Sequence, residues 1–334
     1  MPQHDPSPCP LCFRPMLLEK VWGGDRLSTF GKPVAPGAAI GESWEVADLG
    51  ATSASGAGGA AARSVIEGGT MHGRTLADAL GAWGPALLGH AGADSFPLLV
   101  KYLDANENLS VQVHPSPGYA AANPGSHLKT ECWYVLDARP GSVIYKGLRP
   151  GVTAERFASL VRAGSAEIVE CLQRAPAIAG ECHLLPSGTV HALGAGVLVA
   201  EVQTPSDTTF RLYDWGRQGR ALHVDQALAC ADLGPAPAAT RFAGGPGWNR
   251  LVRTDFFTLD EARPEPGSAL AVDPLSRCAV LMVLRGAGAL HWPGGHMSIA
   301  AGRTVVVPAC LSAASAVSAG AGLTVLRAVV GGDA

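Results

Sequence analysis

LSVQVHP, at residues 109–115, is the stretch that says most about how this chain folds. Side chains alternate along a β-strand, so Ser110, Gln112 and His114 point to one face while the two valines point to the other. Polar groups directed into an interior are costly unless each finds a partner. A metal ion would be that partner for Gln112 and His114. The alternative, a strand with its polar face in water, is weakened by Pro115 and by the apolar segments nearby.

A second strand, KTECWYVL at residues 129–136, carries a carboxylate among apolar neighbours. Alternation puts Glu131 on one face with Trp133 and Val135, which both suit a barrel interior. A carboxylate among apolar side chains is either paired with a cationic side chain or bound to a metal. Lys129 lies two residues earlier and is able to supply the pair, so both interpretations stay open.

A third segment, LPSGTVHAL at residues 185–193, is a turn followed by the start of a strand, with His191 just inside it. With the first two strands it provides a set of nitrogen and oxygen ligands. Zinc takes such ligands and typically keeps a position for water or substrate. Manganese, iron or cobalt fit the same ligand types. The candidate ligands are Gln112, His114, Glu131 and His191.

EVQTPSDTTFRLYDW, at residues 201–215, is predicted to form two strands joined by a turn at residues 205–207. If the turn is centred on Ser206, Glu201 and Arg211 fall opposite each other on one face. They would then form a structural salt bridge. Alternatively, Glu201 would hold the arginine at the mouth of a pocket, aimed at an anionic substrate.

The composition is that of a large globular protein. Of the 334 residues, 47% are hydrophobic and only 16% are charged, so we expect a sizeable core and no global disorder. The 42 glycines and 25 prolines favour many short strands joined by turns. With a net charge of −3 and no basic stripe, we expect neither nucleic acid nor an anionic membrane as a partner.

No recognisable targeting pattern appears in the sequence, and this, together with the cysteine usage, favours a cytoplasmic protein. The first eight residues are polar and proline-rich, unlike a signal peptide, and no stretch reaches the roughly 18 uninterrupted apolar residues of a membrane span. Cys9 and Cys12 form a lone CxxC without the second pair that a metal knuckle needs. The eight cysteines form no dense disulfide framework, so we expect a reduced, cytoplasmic protein.

Strand patterns dominate the remainder, with helices as accessories, which predicts jelly-roll β-barrels rather than a parallel α/β sheet. Thr75 and Thr153 are predicted to cap helices, and a third helix is predicted at about residues 224–231. The predicted strands include residues 97–103, 109–114, 131–137, 142–146, 182–186, 196–203 and 208–214.

Four sections are predicted along the chain. Residues 1–15 are expected to be a flexible lead-in, and LGPAPAA after Asp232 favours a linker at residues 234–248. Between them lies a domain at residues 16–233, which carries the candidate ligands. A strand-rich domain at residues 249–334, poor in candidate ligands, completes the chain.

Taken in order, these stretches resemble the class I phosphomannose isomerases, in the short bacterial form, over about residues 15–223. One such motif could arise by chance, whereas several in the family's order and spacing are specific. Besides the four stretches quoted above, the resemblance rests on VWGG at residues 21–24, GESWE at 41–45, FPLLVK at 96–101 and DA at 104–105.

The resemblance implies a pair of cupin-type jelly-roll barrels, the second of them degenerate. It implies a zinc-dependent aldose–ketose isomerase that interconverts mannose 6-phosphate and fructose 6-phosphate through a cis-enediol, with one zinc per chain. We expect a monomer or a weak homodimer. The implied zinc ligands are Gln112, His114, Glu131 and His191; the implied catalytic residues are Arg211, Lys129 and Glu201; and the implied substrate-binding residues are Ser110 and Lys101.

Two departures from the family pattern and two alternatives stay open. Gly180-Glu181 stands where members often have Gly-Asp, and residues 249–332 resemble the second barrel only loosely. The main alternative is a non-catalytic metal-binding cupin that senses a sugar phosphate. Such a protein would need residues that bind the sugar phosphate but no residue that transfers a proton. An isomerase of unphosphorylated mannose is the other, and the candidate phosphate groups argue against it.

Overall fold

Antiparallel sheets make up most of the computed structural model, which describes residues 7–53, 59–90 and 93–331. The strands are β1 (Met16–Gly24), β2 (Ile40–Val46), β3 (Asp48–Leu49), β4 (Ala62–Arg63), β5 (Leu99–Ala105), β6 (Val111–Val113), β7 (Glu131–Ala138), β8 (Val143–Leu148), β9 (Leu172–Pro176), β10 (Glu181–Leu185), β11 (His191–Leu193), β12 (Val197–Gln203), β13 (Phe210–Tyr213), β14 (Thr240–Arg241), β15 (Asn249–Arg253), β16 (Phe257–Ala262), β17 (Ala269–Ala271), β18 (Ala279–Arg285), β19 (Ala287–Trp292), β20 (Gly295–Ala300), β21 (Thr304–Val307), β22 (Ala316–Ala319) and β23 (Thr324–Val330). The α-helices are α1 (Leu76–Trp83), α2 (Pro85–Leu88), α3 (Pro117–Ala122), α4 (Ala154–Arg162), α5 (Val224–Cys230) and α6 (Ala309–Ser312), and Arg26–Phe30 and Ala166–Cys171 are 3-10 helices.

Two facing sheets form the N-terminal barrel. One has the strand order β1-β2-β5-β12-β7-β10-β14 and the other β13-β6-β11-β8-β9. Leu103 and Trp133 of the first sheet share a buried core with Ile144 and Leu193 of the second. The inward side chains of both sheets therefore meet, and the prediction of a mainly β, jelly-roll fold is confirmed.

Alternation along β6 separates its side chains as the sequence predicts. Val111 and Val113 are fully buried and pack with Phe157 of α4 on the outer face of the five-stranded sheet. Gln112, between the two valines, therefore points into the barrel. This orientation is what brings polar side chains to the inner face of an otherwise apolar wall.

The helices predicted from their capping residues are confirmed. The Thr75 side chain accepts a hydrogen bond from the backbone N–H of Asp78, and the Asp78 carboxylate caps the helix in return. Thr153 likewise accepts from the backbone N–H of Arg156 at the start of α4. The helix predicted at residues 224–231 is α5.

The C-terminal strands form a second pair of sheets, with the orders β15-β16-β23-β18-β21 and β17-β22-β19-β20. Leu281, Leu290 and Val317 lie in the core between them. A separate cluster joins the two halves of the molecule, because Tyr134, on the outer face of the seven-stranded sheet, shares it with Val280 of β18. No helix in the described ranges is long and apolar enough to cross a membrane.

The last part of the expected lead-in packs against the rest of the protein. Residues 1–6 lie outside the described part of the chain, but Leu11 and Phe13 are buried in the cluster that joins the two halves. Leu11 also exchanges backbone hydrogen bonds with Val306 of β21. Removal of these apolar side chains from water favours the packing of this segment against the two halves.

The expected linker also contacts the first barrel closely. β14 lies within residues 234–248 and pairs with β10, where Cys182 stands opposite Thr240. The Lys146 ammonium donates a hydrogen bond of 2.6 Å to the backbone oxygen of Pro237. The proline-rich composition that suggested a spacer therefore describes an edge strand and a cover at one end of the barrel.

The prediction that residues 201–215 form a hairpin is wrong. β12 and β13 lie in different sheets, so Glu201 stands opposite Lys101 and Trp133, whereas Arg211 stands opposite Gln112. The connecting segment does not turn back on itself, because backbone and side-chain hydrogen bonds tie it to the loop that precedes β7. The backbone N–H of Thr204, for example, donates to the oxygen of Thr130.

Candidate active site

Three strands bring the four predicted metal ligands together inside the first barrel. Gln112 and His191 are paired neighbours on β6 and β11, His114 follows β6, and Glu131 begins β7. The Oε1 atom of Glu131 lies 3.2 Å from Nε2 of His191, and its Oε2 atom lies 3.4 Å from Nε2 of His114. One ligand atom from each of these three residues falls within 4.8 Å of the others. All three side chains are buried.

Each histidine is oriented by its Nδ1 atom. Nδ1 lies 2.9 Å from the Thr208 carbonyl oxygen in His114, and 2.8 Å from the Thr189 carbonyl oxygen in His191. A carbonyl oxygen only accepts, so Nδ1 carries the proton and Nε2 faces Glu131. Carbonyl partners of this kind orient metal-binding histidines in proteins.

A cation between His114 and Glu131 fits this arrangement. Burial, helped by the charge of Lys129, lowers the pKa of His114 to about 3, so its ring is neutral near neutral pH and Nε2 is an acceptor. Burial by itself would raise the pKa of Glu131, but Lys129 holds it well below its usual range, so the carboxylate is charged. Two acceptors that face each other repel unless a cation lies between them.

Lys129 supplies part of that positive charge. Its Nζ atom lies 2.6 Å from Oε2 of Glu131 and 3.2 Å from Nε2 of His114. The ion pair that the sequence left open is therefore present on one side of the carboxylate. The other carboxylate oxygen, Oε1, faces His191. The ion pair and the ligand cluster thus occupy the same small volume.

Gln112, the fourth candidate ligand, offers its amide. Its Oε1 atom accepts a hydrogen bond of 3.1 Å from the Ser110 hydroxyl, and its Nε2 atom lies 3.3 Å from Nε2 of His191. A half-turn about the last side-chain torsion exchanges the amide oxygen and nitrogen at little steric cost. The amide oxygen can therefore face the histidines, as a metal ligand must.

A cavity of about 240 Å³ opens above the ligand cluster. Polar side chains provide much of its wall, and indole rings provide apolar surface, a combination suited to a hydrophilic ligand. The described residues that line it are Glu19, Lys20, Val21, Trp22, Glu42, Trp44, Lys101, Leu103, Leu109, Ser110, Gln112, Lys129, Trp133, Glu201, Asp207, Thr209, Arg211 and Arg220.

Glu201 is a buried carboxylate on the cavity wall. The Trp133 indole N–H donates a 3.0 Å hydrogen bond to its Oε2 atom. Its Oε1 atom lies 3.6 Å from the Lys101 ammonium and 3.9 Å from that of Lys129, both longer than a hydrogen bond. Burial raises the pKa of Glu201, and the charge of Lys101 offsets this only in part.

Arg211 lies on the wall formed by the other sheet. Its Nη1 atom donates to the Ala221 backbone oxygen at 3.4 Å. Burial lowers the pKa of Arg211 to about 10, and the neighbouring charge of Arg220 adds to the shift, so the guanidinium is still charged near neutral pH. The Arg220 side chain lines the same cavity.

Known proteins share both the sequence pattern and the fold. Residues 13–142 match the catalytic domain of type I phosphomannose isomerase. The mannose-6-phosphate isomerase of Streptococcus mutans serotype c is 39% identical over 259 residues, which cover 75% of this chain and 77% of that protein. The chain belongs to the mannose-6-phosphate isomerase family.

Solved structures of the mannose-6-phosphate isomerase family superpose on almost the whole chain. The crystal structure of the enzyme from Bacillus subtilis has a TM-score of 0.77 and 26% identity, covering 96% of this chain and 99% of that one. A mannose 6-phosphate isomerase bound with zinc and yttrium has a TM-score of 0.71 at 17% identity, with the same coverage. The second likeness concerns the fold alone.

Sequence patterns together with the family resemblance found some of the cavity residues of this mannose-6-phosphate isomerase family member and missed others. Ser110, Lys101, Lys129, Glu201 and Arg211 were all predicted, and all line the cavity. Most of the missed lining residues were quoted within family motifs without a role; Lys20 directly precedes one of those motifs, and Arg220 follows Arg211 in a loop that carries no strand pattern. They include Lys20, Trp22, Glu42, Trp44, Asp207, Thr209 and Arg220.

Proposed function

We propose that this chain is a zinc-dependent aldose–ketose isomerase that interconverts D-mannose 6-phosphate and D-fructose 6-phosphate through a cis-enediol. One observation carries the proposal: His114, Glu131 and His191 bring one ligand atom each within 4.8 Å of one another, beside a cavity whose wall holds a second buried carboxylate, Glu201. The family membership of the chain supports the same reaction.

The ligand types favour zinc. His114, His191, Glu131 and the Gln112 amide oxygen form a mixed nitrogen and oxygen set, which zinc accepts while keeping room for a substrate oxygen. A structural neighbour with the same fold is bound with zinc and yttrium. When bound, zinc would supply Lewis-acid polarisation of the sugar carbonyl. We propose one such ion per chain.

Glu201 is the group we propose as proton carrier between C1 and C2 of the open-chain sugar. Its raised pKa brings it closer to neutral pH, which suits a group that must both take up and release a proton. Trp133 holds one carboxylate oxygen, and the other faces the two lysines without a short hydrogen bond. That second oxygen is the one we expect to meet the substrate carbon.

The remaining cavity residues position the substrate and balance its charge. Lys129 lies between Glu131 and Glu201, where its ammonium can donate to a sugar oxygen next to the reacting carbons. We propose that Arg211 stabilises negative charge on the substrate, as a guanidinium beside an oxyanion does. Ser110 orients the Gln112 amide, and Lys101 keeps Glu201 in place; both line the cavity and would contact the sugar.

We also propose a cytoplasmic location and a small sugar phosphate as the partner. All eight cysteines are free thiols in the structure, which supports a reducing compartment. The small, polar cavity supports a compact hydrophilic substrate rather than a macromolecule.

A coupled assay tests the function directly. Purified protein should convert mannose 6-phosphate to fructose 6-phosphate, lose this activity in excess chelator, and recover it when zinc is returned. Free mannose should be a far poorer substrate. Tight binding of mannose 6-phosphate with no turnover by zinc-loaded protein would favour the non-catalytic sensor and would overturn the proposal.

A further inference from the structure

Two histidines face each other on the exposed surface of the C-terminal barrel. His291 on β19 stands directly opposite His296 on β20, and the centroids of their stacked rings are 5.8 Å apart at an interplanar angle of 23°. Both residues are exposed to solvent. Neither lines the cavity of the candidate active site, which lies in the other barrel. The pair is therefore a separate group of potential metal ligands.

The backbone beneath the two histidines is regular. β19 and β20 are paired along their whole length without a bulge, and β22 pairs with the other edge of β19. Leu290, Ile299 and Val317 of these three strands are buried on the opposite face, which fixes the outward direction of their neighbours. Directly opposite residues have Cβ atoms about 4.5–5.5 Å apart, so two imidazoles can approach one ion at about 2.0–2.1 Å each.

A serine on the third strand orients the His291 ring. The Ser318 hydroxyl donates a 3.3 Å hydrogen bond to the Ala289 carbonyl oxygen, and its oxygen lies 2.9 Å from Nε2 of His291. Because the single hydroxyl proton goes to the carbonyl, Nε2 of His291 donates to the serine oxygen. In the neutral ring Nδ1 then carries no proton and has a lone pair for a metal. Metal-binding histidines in proteins commonly donate their other ring N–H in this way.

The outward-facing neighbours of the pair are small and uncharged. They are Ala289 on β19, Ser298 on β20 and Ala316 on β22. None of the three brings an ammonium that would repel a cation, and none has a long side chain that would cover the two rings. The space above the rings is thus open to an ion and its water ligands. Imidazole nitrogens suit zinc, copper and nickel, whereas magnesium and calcium prefer oxygen ligands.

We propose that His291 and His296 bind a divalent transition-metal cation, such as Zn²⁺, at an exchangeable site on the outer surface of the C-terminal barrel. His291 coordinates through Nδ1, His296 through a ring nitrogen, and water completes the shell. This site is distinct from the ligand cluster of the first barrel and does not depend on the proposed isomerase function. A second ion bound per chain therefore carries no information about the catalytic one.

Zinc uptake in the two histidine variants tests the site. Protein without an affinity tag is dialysed to equilibrium at a series of free Zn²⁺ concentrations, and bound zinc is measured by metal analysis. Wild type should bind about one equivalent more than His291→Ala or His296→Ala, because a single imidazole holds the ion weakly. Ser318→Ala should weaken the affinity for that equivalent by about tenfold, because the ring loses the partner that orients it.

An exposed histidine elsewhere provides the matched control. His72 lies in a loop, where its Nδ1 atom accepts a 2.8 Å hydrogen bond from the Gly68 backbone N–H. His72→Ala removes one exposed imidazole, as the test variants do, and should take up as much zinc as wild type. Retention on a Ni²⁺-charged resin gives a second measurement, since a resin-bound ion reaches only the protein surface. Wild type and His72→Ala should elute at a higher imidazole concentration than either test variant.

Two results would overturn the site. The first is equal zinc uptake and equal retention in wild type, His291→Ala and His296→Ala. The second is the same loss of zinc in His72→Ala, which would show that any exposed histidine contributes equally. Circular dichroism checks that the variants are folded. Failure of the proposed function is a separate result, because zinc-loaded wild type would then lack isomerase activity while the differences in zinc uptake between variants stayed the same.

Discussion

Glu131 and Glu201 are two buried carboxylates on neighbouring strands with opposite pKa shifts. Burial alone would raise the pKa of both, but Lys129 lies 2.6 Å from Glu131 and lowers its pKa, whereas the nearest ammonium to Glu201 is 3.6 Å away and its pKa is raised. A difference of this kind assigns different tasks to similar groups. Glu131 is suited to hold a cation, and Glu201 to carry a proton.

Replacement of the ligands should separate metal binding from turnover. If the proposed zinc stabilises charge in the transition state, His191→Ala and Gln112→Ala should each lose zinc and at least about a hundredfold in kcat. Lys129→Ala should keep zinc while losing activity, since Lys129 is not a ligand. Metal analysis and the coupled assay on the same samples check both. Zinc-free His191→Ala that still isomerises mannose 6-phosphate would contradict the metal mechanism.

Glu201→Gln keeps the shape of the side chain and removes its ability to exchange a proton. We expect kcat to fall by about 10²–10⁴, the usual contribution of a general acid or base, with zinc content unchanged. Glu42→Gln is the matched control, because it removes a carboxylate charge from the same lysine, Lys101. A comparable fall in kcat in both variants would show that the charge next to Lys101 matters and that proton transfer by Glu201 does not.

At the scale of elements, the ends of the strands matter more than their middles. Glu131 and His191 are the first residues of β7 and β11; an irregular loop precedes Glu131, and a turn at residues 187–188 precedes His191. The Thr130 hydroxyl accepts a hydrogen bond from the Ser187 backbone N–H, which ties the loop to the turn. Thr204, after β12, accepts from the backbone N–H of Thr130 and donates to Leu128.

Thr204→Val preserves the shape of this junction and removes both hydrogen bonds. Two backbone groups near the start of β7 then lose a partner, which should cost about 1–3 kcal/mol of unfolding free energy. We also expect a lower kcat, because Glu131 follows directly on the disturbed turn. Urea unfolding and steady-state kinetics measure the two effects.

A buried threonine of the C-terminal barrel, Thr258, provides the control. Thr258→Val makes the same chemical change far along the chain from the candidate ligands and should leave kcat unchanged. If both threonine variants alter kcat to the same degree, the junction has no special role in positioning Glu131.

At the scale of the whole molecule, the two barrels are stabilised together. A single buried cluster contains Tyr134 of the first barrel, Val280 and Leu326 of the second, and Leu11 from the N-terminal segment. The outer face of the seven-stranded sheet is thus covered by the C-terminal half. The inner face of this sheet carries Glu131 and Glu201. Packing of the C-terminal half against the outer face therefore stabilises the strands that hold these two carboxylates.

Stability should depend on pH through a histidine buried in the first barrel. Burial, reinforced by the charge of Lys146 and opposed by Glu181, lowers the pKa of His183 to about 4. Below the ordinary histidine pKa of about 6.5, the unfolded chain takes up a proton that the folded chain does not. Stability should therefore fall as the pH drops from about 6.5 towards 4, by about 3 kcal/mol at most.

His183→Leu should remove this part of the pH dependence. Urea unfolding of both proteins at about pH 7, 6 and 5 gives the comparison, and contributions shared by the two proteins, such as that of His114, cancel in the difference. Equal losses of stability on acidification in the two proteins would contradict the assignment to His183.

Local sequence determined the elements and the candidate ligands of this protein. Alternation along residues 109–115 fixed which side chains of β6 face inward, and the capping residues Thr75 and Thr153 marked two helices. These features are predictable because they depend on the backbone geometry of a few consecutive residues. Gln112, His114, Glu131 and His191 followed from the same rule together with the resemblance.

Only the tertiary structure decided which strands become neighbours and where charge accumulates. Glu201 and Arg211 lie ten residues apart along the chain, yet they belong to different sheets, because the segment between them is held by hydrogen bonds to a distant loop. Arg220 lies in the loop after β13 and lines the same cavity as Arg211, although no strand pattern marks that loop in the sequence. Such contacts depend on the packing of the whole chain, which local patterns do not encode.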